Sequence, residues 1–280
     1  MNTMSRYTGK RAPLGRSTPM RRLNFILLAV VAISLLAAPL VRAFAQDGIL
    51  YQISASNALS TGLFDGHVSC AQIKENGDFG IAVSEGLDGE LVLLDGTFYQ
   101  QLADGTVQVA PDSLMVPFGM ATRFKPIEHF DLGAIKNYPE LRAEFDKHIT
   151  SRNIIYAVRI EGNFPWIKNR SFSKQSKPYR KQAVIVDEQK VFVEKNTEGT
   201  LVGFWFPDYI HAVNLPGLHL HYLSKDHRSG GHTLDLAMSK AKVSLQPIYQ
   251  YLIVLPSSGE FLKADLTGDK TQEIKKVQGR

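Results

Sequence analysis

Short β-type runs outnumber helical ones along the chain. Ile154, Tyr156, Val158 and Ile160 alternate through 154–161, the period of a strand with one buried face. Glu90–Leu94 and Thr97–Leu102 flank Asp95-Gly96, a two-residue turn between apolar-rich runs, and predict a hairpin. Thr106–Ala110 continues this meander after Asp104-Gly105. Further strands are predicted over 120–126, 184–193, 199–206, 218–223 and 249–255. Residues 49–63 read as a strand entering a short helix around 56–61, closed by Gly62. Leu141, Phe145 and Ile149 recur every fourth position behind Pro139-Glu140, so 132–149 reads as the best helix. The basic, Pro-containing segment 162–179 reads as irregular. The expected fold is mixed α/β, mostly β, with an N-terminal domain over 46–150 and a C-terminal one over 151–280.

The 280 residues carry a formal net charge of +5, which alone would suggest a nucleic-acid or anionic-membrane partner. The distribution of that charge removes the suggestion. Residues 1–45 hold seven basic side chains, from Arg6 to Arg42, and no Asp or Glu. Without them 25 basic face 27 acidic side chains, a balance of −2. The same segment has the layout of an export signal: basic residues ending at Arg21-Arg22, an apolar run from Leu23 to Val41, and Ala43-Phe44-Ala45 as a small-x-small cleavage site. The expectation is a secreted or periplasmic protein, cleaved after Ala45, with no nucleic-acid partner and no stable membrane association after cleavage. The rival, an uncleaved anchor, is disfavoured by the polar continuation Gln46-Asp47-Gly48. Cys70 is the one cysteine, so neither an intrachain disulfide nor a cysteine metal cluster can form.

Five of the eight histidines fall between positions 211 and 232. His219 and His221 are two apart in the strand-like run 217–223, so both imidazoles point to one face. The turn-rich stretch 224–231 then leads to His232, which returns beside them if the chain doubles back. Three imidazoles with open positions suit a catalytic divalent ion, since substrate must share its shell. His227 reads as a turn residue and His211 as a surface one. A cupin also begins with His-x-His, but its next ligand is a glutamate, and 224–226 here is Ser-Lys-Asp.

Residues 217–232 resemble the metal-binding signature of the α-acetolactate decarboxylases, Gly-x-His-x-His-Phe-x-x-x-Asp-x-x-x-Gly-Gly-His, with Tyr222 in the aromatic place. Other stretches are similar to the same family in the same order. These are 50–66, Leu87-Asp88-Gly89-Glu90-Leu91 with Leu94-Asp95-Gly96, Val116-Pro117-Phe118, residues 157–164 with Lys168-Asn169-Arg170 and Lys177-Pro178-Tyr179, and 199–205. The resemblance implies a mixed sheet and a small barrel-like sheet with a metal site between the two domains, and a homodimer. It implies decarboxylation of 2-acetolactate to acetoin and CO2 through a metal-stabilised enediolate. His219, His221 and His232 would hold a divalent ion, most simply Zn2+.

The substrate carboxylate calls for a permanently charged fork, and Arg170 stands at the family's arginine. The enediolate must be protonated on one face, and Glu90 stands at the family's glutamate. One departure is expected to matter. The family carries a glutamate near its C-terminus that enters the metal site, and here that place holds Gln278, with Glu273 a possible substitute. An amide can coordinate but supplies no negative charge. The alternative reading is therefore a catalytically weakened metal or small-acid binding protein of the same fold.

Overall fold

The computed structural model describes residues 48–257, 259–268 and 270–277. The expected signal at 1–45 and Gln278 lie outside the described residues. Strand β1 (Ile49–Ile53) leads through helix α1 (Ser56–Ser60) and β2 (Val68–Ser69) into α2 (Cys70–Lys74). Next come β3 (Phe79–Val83), β4 (Glu90–Leu94), β5 (Thr97–Gln101), β6 (Val107–Val109), β7 (Met115–Val116), β8 (Phe118–Thr122) and β9 (Glu128–Leu132). Helix α3 (Tyr138–Phe145) precedes β10 (Ile155–Ser171), α4 (Gln182–Ile185) and β11 (Lys190–Phe206). Strands β12 (Gly217–Ser224), β13 (Gly230–Ala237), β14 (Lys240–Ile248) and β15 (Gln250–Val254) are followed by α5 (Gly259–Lys263) and α6 (Thr271–Val277). No helix among the described residues is long and apolar enough to cross a membrane.

A seven-stranded sheet has the order β15-β1-β8-β3-β4-β5-β6 and is mixed, because β1 and β15 run parallel while the other pairs are antiparallel. A six-stranded sheet has the order β11-β12-β13-β10-β14-β9. Within it β10 and β11 pair along their whole lengths, β11 also pairs with β12, β12 with β13, and β13 with 166–170 of β10. Those four strands therefore close a ring, the small barrel-like sheet. Strand β10 changes neighbour from β14 to β13 between Asn163 and Trp166, where Pro165 has no N–H to give and the opposite Asn196 takes φ +54°. A bulge at Lys168/Asn169 follows.

Period-two alternation sorts the side chains into layers. In β4, Leu91 and Leu93 point to an outer core with Ile53, Ile73 and Phe98, while Val92 and Leu94 face the second sheet. In β11, Val202, Phe204 and Phe206 join that inter-sheet core, whereas Leu201 and Trp205 turn into the barrel-side core. Strand β12 sends Leu218, Leu220 and Tyr222 to the barrel side. Its intervening positions, His219, His221 and Leu223, therefore face the first sheet. Glu90 shares the orientation of Val92 and meets them there.

Several expected elements differ. Residues 162–171 are not irregular but extend β10, because each is paired to β11, apart from Pro165. The helix expected over 132–149 is confined to α3. Leu132 is in register with Ala241 of β14, and the Asn137 side chain caps the helix by accepting from the Glu140 N–H at 2.8 Å. The strand expected over 184–193 begins only at Lys190, since Ile185 and Val186 are buried next to one another while Val184 is 58% exposed, a helical rather than alternating pattern. Strands β3 and β14 had no prediction. Sheet membership also does not divide at residue 150, because β9 joins the second sheet and β15 the first.

Cys70 sits on α2 at 0% exposure, and burial pushes its thiol up to about 11. Folded protein at pH 8 should react with an aromatic disulfide reagent about a hundredfold more slowly than protein unfolded in guanidinium chloride, which should react with one equivalent per chain. Equal rates in the two states would mean that α2 does not pack on the sheet.

Candidate active site

Three neighbouring strands set out the site as a row. In the pairing of β12 with β13, His221 stands opposite His232, and in that of β13 with β10, His232 stands opposite Arg170. Residues directly opposite share a face, so the two imidazoles and the guanidinium project to one side. His219 joins them from one pleat along β12. One ring nitrogen from each histidine lies within 4.8 Å of the others, and all three residues are buried. His219 Nε2 is 3.2 Å from His232 Nδ1. Gly231, immediately before His232, has φ +121°, and a Cβ there would lie 2.7 Å from the Arg170 carbonyl oxygen. Only glycine lets β13 approach β10 this closely at the row of His221, His232 and Arg170.

The first sheet supplies the opposing wall from β4. His221 Nδ1 lies 3.0 Å from the Leu91 carbonyl oxygen, which can only accept, so Nδ1 carries the proton and Nε2 keeps its lone pair. That Nε2 lies 3.6 Å from Glu90 Oε2. Burial, reinforced by the Arg170 charge, lowers the His221 pKa to about 3 and keeps the imidazole neutral. The Arg170 guanidinium donates from Nη1 to Glu90 Oε1, and both side chains are almost fully enclosed. Burial lifts the Glu90 carboxyl above its usual range, against the pull of Arg170. Arg170 stays protonated, since no protein environment removes a guanidinium proton. Its Cζ lies 4.7 Å from the centre of the Phe172 ring, which supports the cation from beneath.

These groups line a cavity of about 30 Å3 with an apolar wall including Ile81, Val83, Phe118 and Met120. The donor set fits a divalent ion: three buried imidazoles converge, one with its tautomer fixed, and a carboxylate stands beside them. The structure thus brings His219, His221, His232, Glu90 and Arg170 to one place. Glu273, the possible substitute ligand, is exposed on α6. Three contributors had no reading in the sequence. The Leu91 carbonyl is backbone and leaves no trace there. Val83 belongs to β3, whose apolar run 79–83 between Asp78 and Ser84 was a usable strand signal. Gln182 lines the cavity from α4, adjoining a segment read as extended.

Comparison with known proteins agrees with this geometry. The family model described as alpha-acetolactate decarboxylase matches residues 50–268. An alpha-acetolactate decarboxylase of Methanosarcina mazei is 40% identical over 230 residues, covering 82% of this chain and 80% of that protein. One of Brevibacillus brevis is 34% identical over 234 residues, covering 84% and 82%. The crystal structure of alpha-acetolactate decarboxylase from Bacillus subtilis strain 168 superposes with a TM-score of 0.80 at 32% identity, covering 83% of this chain and 100% of that one. The chain belongs to the alpha-acetolactate decarboxylase family.

Proposed function

We propose that this protein is a carboxy-lyase that converts 2-acetolactate to acetoin and CO2 with a divalent ion, Zn2+, held by His219, His221 and His232. The observation that carries this reading is the convergence of three buried imidazoles, one arginine and one buried carboxyl on a single cavity. When bound, the ion supplies Lewis acidity to the substrate oxygens on which negative charge collects, stabilising an enediolate.

The cavity of about 30 Å3 has room for about one water. Acetolactate enters as its carboxylate takes the place of Glu90 on the Arg170 fork, a like-for-like exchange of anions. The apolar wall keeps water away while the bond from C2 to the carboxylate carbon breaks, and the electron pair moves onto the neighbouring carbonyl. Glu90, released from Arg170 into a site where burial favours its neutral form, takes up one proton from solvent as the substrate enters and delivers it to C2. The products are CO2 and acetoin, and the resulting carboxylate returns to Arg170. Export through the segment 1–45 is proposed from its basic, apolar and small-x-small layout, and assembly as a homodimer from the family reading.

Glu90→Gln and Arg170→Lys should each lower kcat for acetoin formation by about 10²- to 10⁴-fold. Circular dichroism should show the fold retained in both. An active Glu90→Gln variant would remove Glu90 from the proton transfer.

A chelator should reduce acetoin formation from racemic acetolactate to the spontaneous rate, with Zn2+ restoring it. Metal analysis should find a marked loss of bound ion in His221→Ala. If zinc-loaded protein makes acetoin no faster than the spontaneous reaction, the enzyme reading fails and a binding role replaces it.

N-terminal sequencing of protein recovered outside the cytoplasm should begin at Gln46. An intact Met1 there would reject cleavage after Ala45.

A further inference from the structure

The polar groups lining the cavity have distinct hydrogen-bonding capacities. Arg170 can only donate, ionised Glu90 can only accept and is already held by Arg170, and the three imidazoles face one another. Gln182 is the neutral amide among these lining side chains, able both to donate and to accept. It is 6% exposed at the start of α4. Among the described residues its amide has no side-chain hydrogen bond. Neither amide atom is fully closed off, so water in the cavity can serve the amide until a ligand group takes its place.

The placement of Gln182 is held from two sides. Ile185, one turn later, is fully buried in the inter-sheet core with Leu59 and Phe64. Helix α6 packs against α4 and α1, with Ile274 and Val277 buried. The amide is therefore presented to the cavity from a fixed backbone.

We propose that Gln182 is a specificity-determining residue that reads the uncharged tertiary hydroxyl of the substrate, accepting its proton at Oε1, and so separates 2-hydroxy-3-keto acids from 3-keto acids that lack the hydroxyl. This inference rests on the proposed decarboxylase reading. A tertiary hydroxyl both donates and accepts, and the carboxamide matches it. Arg170 matches the adjacent carboxylate. With a methyl group in place of the hydroxyl, Gln182 would be left buried beside an apolar group, and that mismatch is the source of discrimination.

The test compares wild-type protein with Gln182→Leu and Gln182→Met, which keep the bulk and remove the polar atoms. With zinc-loaded enzyme, kcat/KM for acetolactate should fall about tenfold in both variants. For 2,2-dimethylacetoacetate, where methyl replaces hydroxyl, it should stay unchanged or rise, with the melting temperature close to wild type. A second readout does not need turnover. Isothermal titration should show that wild-type protein prefers 2-hydroxyisobutyrate to pivalate, and that either variant loses this preference. Equal losses for both keto acids, or no loss for either, would overturn the inference. If one variant fails to fold, the other carries the comparison. If wild-type protein makes no acetoin above the spontaneous rate, the decarboxylase reading fails alone as long as the hydroxyl preference and its loss are seen by titration. A wild type without that preference overturns the role of Gln182.

Discussion

The site depends on one register, the row His221, His232, Arg170 across three strands. A slip of one residue in β13 would turn its imidazole to the barrel interior and separate the other two. The register is held by neighbours rather than by the site itself. Gly231 permits close approach at φ +121°, and the bulge at Lys168/Asn169 resets β10 just before Arg170. Closure of β10 to β13 into a ring leaves these strands little freedom to shift, because each is bonded on both sides.

The Glu90–Arg170 pair is a poor investment for stability alone. Two ionic groups at 2% exposure forfeit hydration, and a buried ion pair often contributes no more than apolar residues of the same volume. Its retention between two otherwise apolar layers is better understood through chemistry. Under the proposed function, the pair would hold a cation for an anionic substrate and a carboxyl that burial inclines to carry a proton. Phe172 beneath the guanidinium fixes its plane without giving it a competing acceptor.

Much of the site was legible because period-two alternation and a short turn suffice to bring His219, His221 and His232 together. The hairpin around Asp95-Gly96 was equally clear, and with it the strand bearing Glu90. Arg170 was legible only through family motifs, because its segment carries Pro165 and several basic residues and gives no strand signal. Pairing to β11 over its length overrides that local preference. The helix at 132–149 failed for the opposite reason: a long-range pairing of Leu132 with Ala241 claims its first turn. Gln182 was missed because 184–193 mixes a helical start with an extended end, and burial of Ile185 beside Val186 settles the choice only in three dimensions.

The pairing of β1 with β15 has a consequence for the order of folding. Ile49 is in register with Gln250, so the first described strand keeps an open backbone edge until nearly the whole chain has been made. Strand β9 likewise waits for β14. The two sheets are thus laced together by segments far apart in sequence, and neither can finish before the other has begun. Such long-range closure postpones completion of the sheets until β15 has been made and leaves the nascent β1 edge available to chaperones or to other chains. A fragment ending near residue 150 would keep β8 beside β1 but would lack β15 on its other edge, and it would lack β14, the partner of β9.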